Sequence, residues 1–322
     1  MRRRLLALSI VSFLLFGATA CGDDTQAQDG TSASVDMGSE IDGLTVTGDV
    51  GKSLDVKMDA PLTGEGTQAQ VLEAGDGNPL KLNESALLHL YIGNATSGKD
   101  AITTYDQGFP IQVKASEDQL FKAVLDEIVD KPQGTRVAVT APVKDVWGAQ
   151  GAPQLKLKAS DTALFIADIV SVQPAEVVEG PEGESVDPPA DAPTVVEKDG
   201  QVTGLDWSTA PKKAPKKLTV IPLVEGDGPE ADAESMVTFD YYGAVWGKDQ
   251  PFDESYSREP APFGVGVQGL IPAWDKVIPG LERGSRVLII APPEDGYGDR
   301  EQPNIPAGST LAFVVDVLGV DE

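Results

Sequence analysis

A chain of 322 residues is long enough for about two domains, and its 41% hydrophobic content suffices for packed cores. A formal net charge of −26 would repel a phosphate backbone, which argues against a nucleic-acid partner. One histidine, His89, and one cysteine, Cys21, exclude a disulfide within the chain and leave almost no material for a His- or Cys-based metal site or catalytic triad.

Residues 1–20 read as an export signal: Arg2, Arg3 and Arg4, an apolar run over 5–16, then small residues over 17–20. The apolar run is shorter than the ~20 residues of a spanning helix. Ala18-Thr19-Ala20 fits ordinary A-x-A cleavage, but Cys21 follows directly, as in a bacterial lipobox, with Ala18 where that box usually carries Leu. The expectation is an exported chain whose mature end is a lipidated Cys21, held at the outer face of the cytoplasmic membrane without a spanning helix. Residues 21–45 are acidic, rich in Gly, Ser, Thr and Gln, and without Lys or Arg. Such a stretch buries too little apolar surface to fold and reads as a disordered tether reaching on the order of 25–30 Å.

Residues 46–172 alternate strand-like runs with turns: LTVTGDV, AQVLEAG, ALLHLYIG, TRVAVTAPV and ALFIADIVSV. His89 lies inside one such run and reads as a satisfied structural histidine. Residues 173–215 hold seven prolines amid acidic, Gly and Ser residues, the composition of a semi-extended linker, with apolar islands at 193–196 and 205–207 able to dock on a neighbour. In 216–322, Val237, Phe239 and Tyr241 alternate inward while Thr238, Asp240 and Tyr242 face out. Pro272 suits the first turn of a short helix carrying Trp274, and Pro279-Gly280 stops it. Strands predominate, so the fold class is α+β, an antiparallel sheet covering a helix.

This last unit offers aromatics rather than a nucleophile–base pair: Tyr241, Phe252, Phe263, Trp274, Tyr297 and Phe313, with Asp253 among them. Converging rings with few polar groups suggest an apolar pocket, although spacing alone favours an ordinary core. Their order resembles the FKBP-type peptidyl-prolyl isomerases: Tyr241-Tyr242-Gly243, Phe252-Asp253, Arg258 followed by Pro262-Phe263, Ile271-x-x-Trp274, Gly284-x-Arg286, Tyr297-Gly298, Ile305-Pro306 and Thr310-Leu311-x-Phe313, over about 90 residues. Two features depart from that pattern. The run from Phe263 to Trp274 is about two residues short, and the loop 299–304 is polar, with no aromatic to close over a substrate.

The chain also repeats itself. Residues 84–93 lie over 234–243, and 134–142 over 284–292, each 150 residues apart; 162–172 lie over 310–320 at 148. In the first copy Val124 stands at the Trp274 position, Trp147 at the Tyr297 position, and Tyr105-Asp106 only approximates Phe-Asp. The resemblance therefore implies two FKBP-like domains, each an antiparallel sheet wrapped around a short helix: a degenerate one over 46–172 and an isomerase domain over 216–322, joined by the Pro-rich linker 173–215.

For function, the resemblance implies rotation of X–Pro bonds in proline-containing peptides or proteins of the envelope, and binding of the macrolide inhibitors of the FKBP class. No cofactor and no metal is implied. Trp274 would floor the pocket; Tyr241, Phe252, Phe263, Leu270, Ile271 and Phe313 would wall it. The Ile271 N–H and the Tyr297 hydroxyl would bind substrate carbonyls, and Asp253 would lie near the twisting amide and orient the Tyr241 hydroxyl. A non-catalytic proline-binding or chaperone module is the alternative.

Overall fold

The structure is a computed structural model that describes residues 37–59, 61–62 and 66–321. The export signal, Cys21 and most of the acidic tether lie outside these residues. Among the described residues, no helix is long and apolar enough to cross a membrane.

The chain opens with a hairpin of β1 (Leu44–Thr47) and β2 (Asp55–Met58). The first sheet follows, from β3 (Gln68–Glu73), β4 (Ser85–Asn94), β5 (Lys99–Thr103), β6 (Ile111–Lys114), β7 (Arg136–Pro142) and β8 (Thr162–Val172). Its order is β3-β7-β8-β4-β5, with β6 also on β4 and every pairing antiparallel. Helix α1 (Lys122–Ile128) buries Val124, Leu125 and Ile128 against one face, and α2 (Val143–Trp147) follows β7.

Next come β9 (Glu184–Ser185) and a second hairpin, β10 (Thr194–Lys198) with β11 (Gln201–Asp206). The second sheet adds β12 (Thr219–Glu225), β13 (Met236–Val245), β14 (Pro251–Glu254), β15 (Ala261–Gly264), β16 (Arg286–Ala291) and β17 (Leu311–Val320). Its order is β14-β13-β17-β16-β12-β9, with β15 on β13. Pro272 occupies the first turn of α3 (Pro272–Val277), where its missing N–H costs no hydrogen bond, and Ala273 and Trp274 face the sheet.

The semi-extended linker expected over 173–215 is not what the structure shows. β9 extends the second sheet, and the β10–β11 hairpin lies across that sheet's outer face. The reason is hydrophobic. Val195, Val202, Leu205 and Trp207 cover Tyr242, Leu288, Ile290 and Val314, which would otherwise face water. Asp199 and Gly200 turn the hairpin with φ of 53° and 82°, the pair of positive values that a two-residue type I′ turn demands. The β1–β2 hairpin covers the first sheet in the same way, with Leu44, Val46, Val56 and Met58 over Tyr91, Leu164 and Ile166. Covered on both faces, β17 is buried at all 10 positions.

Each covered face carries a buried Arg–Asp–Tyr cluster. Arg136 donates from Nε and Nη2 to the two Asp168 oxygens at 2.7 and 2.6 Å, and the Tyr105 hydroxyl donates to the same carboxylate. Arg136 also reaches Gly48 O at 2.7 Å and Ser53 O at 3.0 Å, which ties down the first hairpin's loop. In the second sheet Arg286 pairs with Asp316 and with Glu197 of the second hairpin, while the Tyr256 hydroxyl donates to Asp316 at 2.8 Å. Tyr105 therefore matches Tyr256, not Phe252. His89 is buried against Tyr105, with ring centroids 3.9 Å apart, and its Nδ1 lies 2.8 Å from Thr104 Oγ1. Burial holds its pKa below the ordinary value, with opposed contributions from Asp168 and Arg136.

The repeat is also one residue out of step along its central strand. Tyr91 pairs with Ile166, and Tyr242 pairs with Val314. β4 thus overlays β13 at 151 residues, not 150, a slip that exchanges the two faces. Leu88 and Phe239 face the helix-bearing cores, Tyr91 and Tyr242 the hairpins. Leu90, not Tyr91, stands where the second half has Tyr241.

Candidate functional site

One cavity of about 340 Å³ opens beside α3. Tyr241, Phe252, Asp253, Phe263, Leu270, Ile271, Trp274, Tyr297 and Phe313 all line it, so the structure brings together every pocket residue named from the sequence. Gly269, Pro272, Gly296 and Arg300 complete the lining.

The elements explain the convergence. Alternation along β13 sends Phe239 and Tyr241 to the helix side, with Tyr242 on the opposite face. β14 and β15, both edge partners of β13, bring Phe252 and Phe263 alongside, and β17 supplies Phe313. Trp274, only 5% exposed, sits at the base. Phe239, Tyr241 and Phe313 stand nearly perpendicular to its ring, at 78°, 81° and 78°, with centroids 4.8, 5.2 and 5.3 Å away. Edge-to-face contacts of this kind hold the indole in one orientation. Its Nε1 is buried with no hydrogen-bond partner among the described residues.

The polar groups are few. The Tyr241 hydroxyl donates to Asp253 Oδ2. Asp253 Oδ1 accepts from Arg258 Nη2 at 3.0 Å and from the Glu254 N–H at 3.0 Å, and Arg258 also holds the Glu254 carbonyl. Burial, then the hydrogen bond to Asp253, pushes the Tyr241 hydroxyl up to about 12. Burial and the Asp253 charge raise Tyr297 as well. Both hydroxyls therefore keep their protons at neutral pH. Ile271 is the N-cap of α3, and its N–H makes no hydrogen bond among the described residues.

Two supports were not singled out from the sequence. Asp275, on α3, accepts the Gly266 N–H at 2.9 Å, which pins the shortened 264–271 segment to the helix, and Leu270 still reaches the cavity. Lys276 pairs with the buried Asp295 at 2.6 Å, tying α3 to the turn that carries Tyr297. The first is legible afterwards as an acid in a helix's first turn facing a Gly-rich loop; the second has no local signal. Arg300 belongs to the polar 299–304 loop and lies at the cavity's edge.

Among the described residues of the first half, the positions that correspond to this cavity are filled. Phe121, Trp147 and Phe165 occupy the Ile271, Tyr297 and Phe313 positions and pack on one another at 4.9–5.7 Å. Val124 replaces the floor. Ile102 stands opposite Ile92 as Asp253 stands opposite Gly243, so the carboxylate is missing too. Among the described residues no cluster of His, Cys, Asp or Glu is placed to hold a metal ion.

A family model described as FKBP-type peptidyl-prolyl cis-trans isomerase matches residues 228–318, which span this cavity. An FK506-binding protein of Streptomyces anulatus is 36% identical over 109 residues, 33% of this chain and 88% of that protein. The FKBP-type peptidyl-prolyl cis-trans isomerase FkpA of Escherichia coli strain K12 is 26% identical over 267 residues, 82% of this chain and 86% of that protein. The crystal structure of AtFKBP13 aligns at 32% identity over 33% of this chain and 94% of that one, with a TM-score of 0.30.

Proposed function

The chain belongs to the family of FKBP-type peptidyl-prolyl cis-trans isomerases, and from that premise we propose that the aromatic cavity of its second half is where it rotates X–Pro bonds in exported or envelope proteins. The observation that carries this reading is the Trp274 floor, ringed by Phe239, Tyr241 and Phe313, in a cavity lined by one carboxylate, Asp253, and two hydroxyls, those of Tyr241 and Tyr297.

Such a cavity suits the chemistry. Rotation about X–Pro faces a barrier of about 18–20 kcal/mol and takes tens to hundreds of seconds unaided. No bond to carbon breaks. The planar amide is dipolar through resonance, and water stabilises it; the twisted form has lost that resonance. A dry aromatic cavity disfavours the planar form relative to the twisted one, and a few fixed donors hold the latter. The Ile271 N–H and the Tyr297 hydroxyl are those donors. Asp253 holds the Tyr241 hydroxyl, which shapes the wall rather than moving a proton. A barrier lowered by about 8 kcal/mol would accelerate the reaction roughly a million-fold.

On this reading residues 46–172 are a degenerate FKBP-like domain whose cavity is filled by Phe121 and Trp147, and 216–322 the isomerase domain. The 173–215 segment then forms part of the second domain's outer layer as well as its connection to the first. FK506-type macrolides would bind the same cavity as proline. A lipidated Cys21 would hold the mature protein at the outer face of the cytoplasmic membrane, with a tether shorter than the 21–45 expected, because Gly38 already bridges Gln70 of β3, Ile41 is buried and β1 begins at Leu44. The test is isomerisation of a short X–Pro peptide by the whole chain. Acceleration proportional to protein concentration, and competed by an FK506-type macrolide, supports the assignment; an unchanged relaxation time over the uncatalysed reaction refutes it and leaves a proline-binding module.

A further inference from the structure

We propose that Gln112, on β6 of the first half, is a positioning residue for the cavity in the second half, and that the first half contributes to catalysis through it. The proposal rests on the cavity being the isomerase site.

Phe263 forms one wall of that cavity, and its ring stacks on Phe239 at 4.9 Å and 11°. Its strand, β15, is only four residues long and pairs with β13 alone. Phe263 lies opposite Val237; its neighbours Pro262 and Gly264 lie opposite Thr238 and Met236. In an antiparallel ladder alternate residues turn their N–H and C=O away from the partner. On β15 those outward groups are the Pro262 carbonyl and the Gly264 N–H, an unpaired edge one residue to either side of the wall.

Gln112 closes that edge. Its Nε2 donates to Pro262 O at 3.0 Å, and its Oε1 accepts the Gly264 N–H at 3.0 Å. One carboxamide thus reproduces the donor–acceptor pair that an adjoining strand would present. A second side chain of the first half secures the same place. Leu87 is fully buried with Met236 and Val267, so close to Gly264 that a Cβ there would stand 2.6 Å from Leu87 Cδ2. The Met236 N–H, opposite Gly264, is held by Ser171 Oγ at 2.8 Å, again from the first half. The backbone on both sides of Phe263 is therefore clamped between β13 and the first half. Small displacements of groups that position a substrate are costly to catalysis. A half whose own cavity is filled can in this way still set the geometry of its neighbour's.

Gln112→Ala in the whole chain tests this, with Trp274→Leu measured beside it. The expected result is faster amide exchange at Gly264, an unchanged melting temperature, and a KM for an X–Pro peptide raised about two- to ten-fold with kcat nearly constant, because Phe263 contacts substrate in the ground and twisted states alike. Gln112→Glu keeps an acceptor for the Gly264 N–H and loses the donor to Pro262, so it should fall between; it also carries the test if the alanine variant disturbs packing of the halves. Wild-type KM in both Gln112 variants, while Trp274→Leu loses activity, overturns the proposal alone. Unchanged activity in Trp274→Leu overturns the reading of the cavity, and the proposal with it.

Discussion

Replacing Trp274 separates the stability of the second half from its activity. The indole is 5% exposed and meets Phe239, Tyr241 and Phe313 within 5.3 Å. Trp274→Ala removes nearly the whole side chain from a place where the sheet and α3 cannot both collapse, so the cost should approach the ~3–5 kcal/mol of large aromatic truncations. Trp274→Leu retains much of the apolar volume. It forfeits the three ring contacts, each worth about 0.5–1.5 kcal/mol, and recovers part of that through its own burial, for a net loss of about 2 kcal/mol. A domain stable by about 5–15 kcal/mol stays folded after that loss. Urea unfolding followed by circular dichroism measures the stability, and kcat/KM on an X–Pro peptide, taken well inside the folded baseline, measures the site. The expected outcome is a folded leucine variant whose kcat/KM is lowered at least about tenfold, because the floor beneath the proline ring is gone. A variant that loses stability as computed but keeps its turnover would refute the idea that this ring contacts substrate.

Tyr297→Phe deletes one hydroxyl and keeps the ring; with about 0.5–1.5 kcal/mol at stake, kcat/KM should fall about two- to twelve-fold and the melting temperature should hold. The pH profile should be level between pH 6 and 8. The Tyr241 hydroxyl, raised to about 12, and the raised Tyr297 hydroxyl are protonated below their shifted values, so their donor role is lost only as pH climbs towards those values; a bell-shaped profile near neutrality would point to proton transfer instead. Asp316→Asn removes the buried one of the two carboxylates that pair with Arg286 and leaves it only the half-exposed Glu197, so it should cost up to about 3–5 kcal/mol in denaturant unfolding, with little change in KM at temperatures where the variant is folded.

The cavity was legible from the sequence because its residues are large, few and strung in a distinctive order. Alternation over 237–242 already turns Tyr241 inward and Pro272 already starts a short helix at Trp274, whereas Phe252, Phe263 and Phe313 are picked out by their order along the chain. The hairpin over 194–206 reads as linker in the sequence because the seven prolines of 173–215 outweigh a short local signal, Lys198-Asp199-Gly200-Gln201, which is a type I′ turn between two β-rich runs. The one-residue slip between β4 and β13 was hidden because Tyr91 and Tyr242 are flanked by similar residues, and overlaying ESALLHLYIG on ESMVTFDYYG at equal length matches glycines while exchanging faces. Gln112 had no signal of its own. An exposed glutamine on a short strand acquires meaning only when the second half's edge is set against it.

The proposed function requires that one of two similar halves carry the catalytic cavity. Exchange NMR of an X–Pro peptide in the presence of the whole, isotope-labelled chain tests it most directly, since it records the isomerisation rate and the protein residues that feel the peptide in one sample. Catalysed exchange is expected with peptide-induced shifts at the Trp274 indole, Tyr241, Tyr297 and the Ile271 amide, and none at Phe121 or Trp147. Shifts centred on Phe121 and Trp147, or catalysed exchange that leaves the Trp274 indole unmoved, would contradict it.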